Sequence, residues 1–354
     1  MVTVRLFQNN DKILWDSYVL NHPHGTFFHL IGWKNVIENT FHHKSHYLIA
    51  QNADATSNNS SETNSIIGIL PLFSVKSILF CKSLVSLPFA AYGGILADTQ
   101  EIAEQLLNKA KEITRTEGLE YLELRNRDGG FGDLPTKALY VAFKKKIFGD
   151  LKSNMEAIPR KSRRMVREGE KANLTYEFGH QELIPAFYDI FARSYNRLGS
   201  PVFSVRLFKN LLEEFNEKSN ILLVKIKEGK SIAAVFSFFY KDEVIPYYAG
   251  SLFEFREFAP NDYMYWQLMK YGCENGYKFF DFGRSKVDTG SYDFKRHWGF
   301  EPVPLPYQYF LNGIKEIPNI SPANPKYQKK IEMWRKLPFW VTKTIGPRIV
   351  KYIP

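Results

Sequence analysis

Cysteine is scarce in this sequence, and long apolar runs are absent. The 354 residues include only two cysteines, Cys81 and Cys273, which lie far apart and form no CxxC or Cys/His cluster. A disulfide framework and a structural zinc site are therefore excluded, and a reducing compartment is expected. No stretch approaches the roughly 18 apolar residues of a spanning helix. Because the N-terminus also lacks the pattern of an export signal, we expect a cytoplasmic protein, either soluble or peripheral at the inner face of the membrane.

Several catalytic motifs are missing as well. The sequence has no GxSxG elbow and no cysteine in a recognisable catalytic setting, so a covalent nucleophile is not indicated. The dense histidines His42, His43 and His46 have no HExxH motif or carboxylate at ligand spacing beside them. We therefore expect no bound metal.

The composition is that of a folded protein of about two domains. Hydrophobic residues make up 44% and aromatic residues 16%, which excludes disorder for most of the chain. A length of 354 residues corresponds to roughly two domains of about 150 residues each.

Positive charge is concentrated in two segments. The net charge is +10, of which residues 326–354 carry +7 and residues 160–171 carry +4. The rest of the chain is therefore almost neutral, and an anionic partner would meet one of these two patches.

Each patch has two interpretations. In 326–354 the cations alternate with tryptophan, phenylalanine and aliphatic residues, which is typical either of an extension packed on its own domain or of peripheral membrane contact. In 160–171 five of the six cations form one stripe of a helix. They are Arg160, Arg163, Arg164, Arg167 and Lys171. Because such a stripe repels itself, we expect it to be held by a phosphate ligand or by nearby carboxylates.

One succession of elements occurs twice along the chain: strand, strand, strand, helix, strand. The first copy is expected at 46–51, 65–73, 87–96, a helix that buries Ile102, Leu106, Ala110 and Ile113, and a strand from Gly118. The second copy is expected at 220–228, 231–240, 244–253, about 261–275 and from Gly276. A repeat this long indicates a duplicated domain.

The predicted fold class is α+β, with mixed, mostly antiparallel sheets flanked by helices. The expected segments are a first domain at 1–150, a second at 151–312 and a basic aromatic C-terminal tail at 313–354. A long polar loop is expected at 51–65.

The sequence resembles a known family. The duplicated layout, the basic helix RKSRRMVREGEKANL and the segment FFDFGRSKVDTGSYDFKRHWGFEP resemble FemAB-like transferases, which are tandem GNAT-type domains. More narrowly, FFHLIGWKNVIE, LVSLPFAAYGG and YLELRNR are similar to FemAB-related proteins associated with XrtA/PEP-CTERM exopolysaccharide systems. The resemblance covers about residues 3–312.

The resemblance implies two tandem GNAT-like domains and acyl transfer. The best understood members move an amino acid from aminoacyl-tRNA onto the amine of a peptidoglycan precursor. Neither copy has the glycine-rich turn on which ordinary GNAT enzymes hold a pyrophosphate, so acetyl-CoA is disfavoured. Aminoacyl-tRNA and a carried acyl thioester remain as donors, and no tightly bound cofactor is expected.

The predicted catalytic residues are Lys295, Asp281 and Tyr248. Lys295 matches the lysine of the family's FK segment, which implies an oxyanion or leaving-group role. Asp281 ends an apolar strand before Gly283 and is expected to orient Arg284 or Lys295, to accept a proton, or to serve in a structural pair. Tyr248 is favoured over Tyr247 as the residue that faces the substrate cleft.

The predicted substrate-binding set is larger. In the second copy it consists of Arg284, Ser285, Tyr292 and Trp298, together with the basic-helix residues Arg163, Arg164 and Arg167. In the first copy it consists of Tyr92, Arg125 and Trp33; the alternative is that the first copy is only a scaffold.

Two functions follow as hypotheses. In the first, the chain is an acyl or aminoacyl transferase that acts on an amine, or a hydroxyl, of a cell-envelope or exopolysaccharide-related acceptor. In the second, it is a non-catalytic GNAT-like scaffold that gathers anionic glycolipid or polysaccharide machinery through its basic patches.

Overall fold

The computed structural model describes residues 2–52, 65–77, 82–319 and 324–353. Residues 53–64 of the loop expected at 51–65 lie outside this range. The helices are α1 Lys12–Asn21, α2 Ile31–Phe41, α3 Gln100–Thr116, α4 Leu151–Glu156, α5 Arg160–Lys171, α6 Ile184–Leu198, α7 Val205–Glu214, α8 Pro260–Glu274, α9 Gly290–His297, α10 Pro325–Lys336 and α11 Phe339–Val350. The strands are β1 Val2–Leu6, β2 Lys44–Ser45, β3 Leu48–Asn52, β4 Ile66–Leu70, β5 Phe73–Val75, β6 Ser83–Val85, β7 Leu96–Ala97, β8 Tyr121–Arg125, β9 Thr136–Lys137, β10 Tyr140–Lys146, β11 Thr175–Gly179, β12 Ser219–Lys225, β13 Ser231–Tyr240, β14 Glu243–Ser251, β15 Phe279–Lys286, β16 Pro302–Pro304 and β17 Tyr307–Leu311.

The chain divides into two compact units. Unit 1 consists of Met1–Tyr140, Pro304–Asn319 and Tyr352–Pro354, and unit 2 consists of Val141–Val303 and Ile320–Lys351. These bounds differ from the expected segments 1–150, 151–312 and 313–354. The difference arises because β10 lies in the sheet of unit 2, whereas β17 pairs with β8 of unit 1.

Unit 1 contains two sheets, with strand orders β1-β3-β4-β7 and β2-β5-β6-β8-β17-β9. The predicted hairpin forms between β3 and β4, and α3 buries the predicted face of Ile102, Leu106, Ala110 and Ile113. The strand expected at 87–96 is wrong, since only Leu96–Ala97 is extended in a sheet. Leu87 and Phe89 instead adopt positive φ angles of 55° and 62°, which residues with a β-carbon do not adopt in a regular strand.

Unit 2 contains one seven-stranded sheet, in the order β11-β12-β13-β14-β15-β10-β16. Strands β11 to β14 are antiparallel neighbours, and β15 is parallel to β14 because α8 connects the two. The hairpin, the third strand, the helix and the last strand of the second predicted copy are all present. The α+β fold class is therefore confirmed.

The sheet of unit 2 is covered by helices on both faces, which explains the continuous apolar run of β13. Val235 lies in the core cluster that also contains residues of α8. The next residue, Phe236, faces the other way, because its ring contacts Phe187 of α6 and Phe208 of α7. A strand buried on both faces needs apolar residues at every position rather than at alternate ones.

The two C-terminal helices, α10 and α11, both pack against α6. Across the described residues, no helix is both long and apolar enough to span a bilayer.

The close approach of β14 to α6 yields a stability prediction. A β-carbon added to Gly250 would lie 3.0 Å from Cα of Phe191 and 3.1 Å from Cβ of Ser194. We expect Gly250→Val to lower the free energy of unfolding by about 1–3 kcal/mol, because the added methyl groups overpack this contact. Urea denaturation measures the change. The control is Gly149→Val, where a β-carbon would have no neighbour within 4 Å; equal destabilisation of the two variants would contradict the close packing.

Candidate active site

The site begins where two parallel strands separate. Pairing between β14 and β15 is limited to Glu243 with Phe279 and Val244 with Phe280. Farther along, Tyr248 of β14 and Arg284 of β15 are near enough for the charge of Arg284 to act on the Tyr248 hydroxyl. Beyond the last pair with β14, the other edge of β15 still adjoins β10 in the sheet.

Lys295 of α9 binds this segment of β15. Its Nζ donates to the carbonyl oxygen of Phe282 at 2.7 Å and to that of Arg284 at 3.0 Å. Between these two carbonyls lies Gly283, whose φ of 63° interrupts the regular strand. Lys295 is only 9% exposed, so its amine satisfies two backbone acceptors at an irregular point of the sheet.

Burial lowers the pKa of Lys295 to about 7, because removal from water disfavours the charged form. The carboxylate of Asp281 acts in the opposite direction, and the guanidinium of Arg284 lowers the pKa further. Near neutral pH the amine is therefore present in both protonation states. This is the range in which a group can donate and accept protons efficiently.

Asp281 is buried beside this amine. Its Oδ1 accepts a hydrogen bond from the backbone N–H of Gly283 at 2.7 Å, so the carboxylate fixes the turn that Lys295 spans. Ser285, also buried, accepts a hydrogen bond from the Ser291 hydroxyl at 3.3 Å. The structure thus brings together four predicted site residues: Lys295, Asp281, Arg284 and Ser285.

Tyr248 lies across the separation from Arg284. Its ring packs among Phe191, Phe203 and Phe208, and its pKa is raised well above the ordinary value by burial. Its hydroxyl is buried and has no hydrogen-bond partner among the described residues. The charge of Arg284 acts on the pKa of this hydroxyl as well as on that of Lys295, so Arg284 is the electrostatic link between the two.

Two predicted pocket aromatics occupy different environments. Tyr292 is half-buried, with its ring edge on Phe143 at a centroid distance of 5.5 Å. Trp298 is fully buried in the core of unit 2, where its indole N–H donates to Oδ1 of Asp262 at 2.9 Å. Burial raises the pKa of Asp262 to about 6, although the bond from Trp298 opposes this shift. Trp298 therefore packs in the core and offers no surface to a substrate.

The arginines of α5 lie on its outer side. The helix buries Ser162, Val166 and Gly169, whereas Arg164 and Arg167 are exposed and Arg163 is half-buried. No carboxylate among the described residues forms an ion pair with any of these arginines, although Lys171 pairs with Glu168. Of the two expected partners, carboxylates therefore form no ion pair with these arginines within the described part of the chain.

The three predicted residues of unit 1 are all buried. Trp33 is fully enclosed and donates to the Pro88 carbonyl at 3.3 Å. Arg125 donates to Glu123 at 2.7 Å and to the carbonyls of Leu87 and Ala90 at 3.2 Å. Tyr92 is covered by the guanidinium of Arg127. These contacts give Trp33 and Arg125 structural roles in the turn that replaces the expected strand.

Unit 1 also has a cleft of about 250 Å³ that the sequence did not indicate. Among its lining residues are His22, His24, His29, Arg127 and Asp128. Asp128 accepts from both His24 and Arg127, at 3.0 and 2.9 Å. These residues come from separate parts of the chain with no shared spacing, so no sequence motif could have revealed them. Lys295 lines neither this cleft nor the second one, of about 210 Å³, beside Arg193 and Phe253 in unit 2.

Comparison with known proteins identifies the fold. A sequence model of the acetyltransferase (GNAT) domain matches residues 153–296. FemX is similar in structure, with a TM-score of 0.64 and 16% identity over 93% of this chain and 100% of FemX. A tandem GNAT protein from the clavulanic acid biosynthesis pathway has a TM-score of 0.54 and 10% identity over 89% of this chain and 100% of its own.

A third similar structure is the C-terminal domain of a putative lysylphosphatidylglycerol synthetase from Agrobacterium fabrum. Its TM-score is 0.55, with 13% identity over 86% of this chain and 92% of that domain. No curated protein matches the sequence. At these identities the likeness establishes the fold, and the expectation of a FemAB-like tandem GNAT architecture is confirmed. This is an acyltransferase fold.

The buried amine predicts a pH dependence of stability. An unfolded lysine has a pKa near 10.5, whereas that of folded Lys295 is about 7. Between these values the unfolded chain binds the extra proton, so the free energy of unfolding should rise with pH across this window. In Lys295→Met this rise should be reduced, because the titrating group is gone.

Urea denaturation between pH 6.5 and 9.5 measures both curves. Lys278→Met, at an exposed position, is the control and should follow the wild-type slope. A Lys295→Met curve parallel to that of the wild type would show that the amine is not desolvated.

Proposed function

We propose that the chain is an acyl or aminoacyl transferase that moves an activated acyl group onto an amine, or a hydroxyl, of a cell-envelope or exopolysaccharide-related acceptor. The observation that carries the proposal is the buried amine of Lys295, held on two carbonyls of β15 beside Asp281 and Arg284. The acyltransferase fold supports the reaction class. The similarity to a domain of a lysylphosphatidylglycerol synthetase supports an envelope acceptor, and the exopolysaccharide alternative derives from the sequence resemblance.

Acyl transfer needs no covalent enzyme intermediate. The acceptor nitrogen forms the new bond to the acyl carbon, the bond from that carbon to the donor oxygen or sulfur breaks, and the proton released by nitrogen passes to the leaving atom. Holding the two reactants together can contribute about 7–11 kcal/mol. The remaining requirement is a donor aimed at the oxyanion that develops on the carbonyl.

Lys295 can supply that donor. A protonated amine has three N–H groups, and the carbonyls of Phe282 and Arg284 accept two of them. The third is available to the oxyanion or to the leaving atom. Asp281 supports the protonated form, since its charge raises the pKa of the amine. The buried hydroxyl of Tyr248 is a second group able to bond a ligand at the separated strands.

The donor is proposed to be a phosphate-rich carrier. The segment 252–259 between β14 and α8, LFEFREFA, contains no glycine, which disfavours the glycine-rich amide cradle of an acetyl-CoA site. The exposed Arg164 and Arg167 favour aminoacyl-tRNA or an acyl thioester on an anionic carrier, because guanidinium groups bind phosphate well. The scaffold alternative relies on the same arginines but assigns no role to Lys295.

Removing the amine should slow transfer strongly. We expect Lys295→Ala to lower kcat by about 10²–10³-fold, as removal of an oxyanion donor does. Transfer is measured with radiolabelled aminoacyl-tRNA and acyl thioesters as donors and with peptidoglycan precursors or amino sugars as acceptors. Lys278→Ala, which removes an exposed amine bonded to Asp242, is the control. Full turnover by Lys295→Ala would refute the catalytic role. If the wild type shows no turnover with any pair yet binds anionic glycolipid, the scaffold is favoured instead.

Removing the arginines should weaken binding of a nucleic-acid donor. We expect Arg164→Ala with Arg167→Ala to reduce tRNA affinity and to flatten its salt dependence by about one unit for each phosphate that the variant no longer binds. Filter binding at several salt concentrations measures both quantities. The double variant Arg206→Ala with Lys209→Ala, which removes two exposed cations of α7, is the control. If both double variants behave alike, tRNA is not held by α5.

A further inference from the structure

The C-terminal helices leave an apolar and basic surface open to solvent. We call it the tail surface and define it by eight exposed apolar and basic residues of α10, α11 and their junction. They are Lys329, Lys330, Met333, Lys336, Leu337, Trp340, Ile345 and Arg348. This surface lies outside the segment that resembles the transferase family.

Both helices are fixed to unit 2 by their other sides. In α10, Ile331 and Arg335 pack on Gly199, where a β-carbon would lie 2.6 Å from Cγ2 of Ile331. Arg335 also donates to the carbonyl of Leu198 at 3.2 Å. In α11, Gly346 packs closely on the backbone of Val202. The tail therefore forms an additional layer outside α6, and the tail surface remains open to solvent.

The apolar residues of this surface are unusually exposed. Trp340 is 71% exposed and Met333 is 69% exposed. Ile345 is 40% exposed and Leu337 37%. The buried residues of α11 are Thr342, Gly346 and Val350, whereas Trp340 and Ile345 stay exposed. An exposed tryptophan beside aliphatic residues is typical of the interface between water and lipid.

The positive charge of α10 and α11 is also typical of a helix pair that contacts a lipid surface. Lys329, Lys330, Lys336 and Arg348 give the tail surface four cations among its apolar residues. Across the sequences of α10 and α11, Glu332 is the sole acidic residue. Anionic headgroups attract such a cluster of cations, whereas a neutral lipid surface does not.

We propose that the tail surface docks on a bilayer that contains anionic lipid, with Trp340, Met333 and Leu337 entering the headgroup region and the lysines contacting the headgroups. The occupant is the lipid surface rather than a second copy of the chain or a nucleic acid. The proposal is independent of the transfer reaction, and it would hold unit 2 at the membrane.

The test is flotation of the full chain with vesicles of phosphatidylcholine, with and without phosphatidylglycerol. We expect binding to the anionic vesicles that weakens as salt rises, and at least about tenfold weaker binding to the neutral ones. Two variants should each lose most of this binding. One is the double variant Trp340→Ser with Met333→Ser, and the other is the triple variant that changes Lys329, Lys330 and Lys336 to Gln.

A matched control separates the tail surface from exposed apolar residues in general. Ile13 of α1 is 82% exposed, and the control double variant Lys12→Gln with Ile13→Ser should float like the wild type. Circular dichroism confirms that the variants are folded. Absence of flotation of the wild type, or undiminished flotation of both tail variants, would overturn the proposal.

Two further results would also overturn it. In the first, the wild type binds no lipid, and light scattering shows a concentration-dependent dimer that the double variant Trp340→Ser with Met333→Ser abolishes. This result would assign the tail surface to a second copy of the chain. In the second, the wild type again binds no lipid but retains RNA, and the triple lysine variant does not retain it. This result would assign the tail surface to a nucleic acid.

Discussion

The site of unit 2 depends on one hydrogen-bonded amine. Gly283 adopts a left-handed conformation within β15, and a strand cannot keep its regular pairing through such a residue. The carbonyls on either side then need donors, and Lys295 supplies both bonds from a buried position. The same burial shifts the proton equilibrium of the amine toward neutrality. One interaction thus closes the irregular segment of the sheet and creates a titrating group within it.

Much of the fold could be predicted from local patterns. The hairpins β3–β4 and β12–β13 and the helices α3 and α8 follow from local sequence patterns, and the periodicity of α3 also gives its buried face. The segment 87–96 could not be predicted in this way. Its apolar composition suits a strand, but Arg125, more than 30 residues later, donates to the carbonyls of Leu87 and Ala90. Such a contact leaves no trace in the local sequence.

The site was predictable in a similar, partial way. The resemblance pointed to Lys295 and the FDFGRS segment, and the structure places Asp281 and Arg284 beside that lysine, whereas Ser285 bonds Ser291 of the same helix α9. Trp298 lies in the same motif but points into the core toward Asp262. A motif specifies which residues occur together, whereas the direction of each side chain depends on how α9 packs on β15. The cleft of unit 1 left no motif, because its histidines and Arg127 meet only after folding.

Unit 1 is not continuous along the chain, since β17 inserts between β8 and β9 of a sheet whose other strands come before residue 140. During translation, β17 can pair with β8 only after the 163 residues of Val141–Val303 have been synthesised. This synthesis takes roughly 10–30 s at ordinary elongation rates. Throughout that interval the nascent sheet presents an unpaired edge, the kind of surface on which polypeptides associate wrongly. Unit 2 can complete its own sheet of seven strands first. All strands of the unit 2 sheet are therefore synthesised before the last strand of the unit 1 sheet. Productive folding of this protein requires that the exposed edge of β8 be protected until β17 emerges.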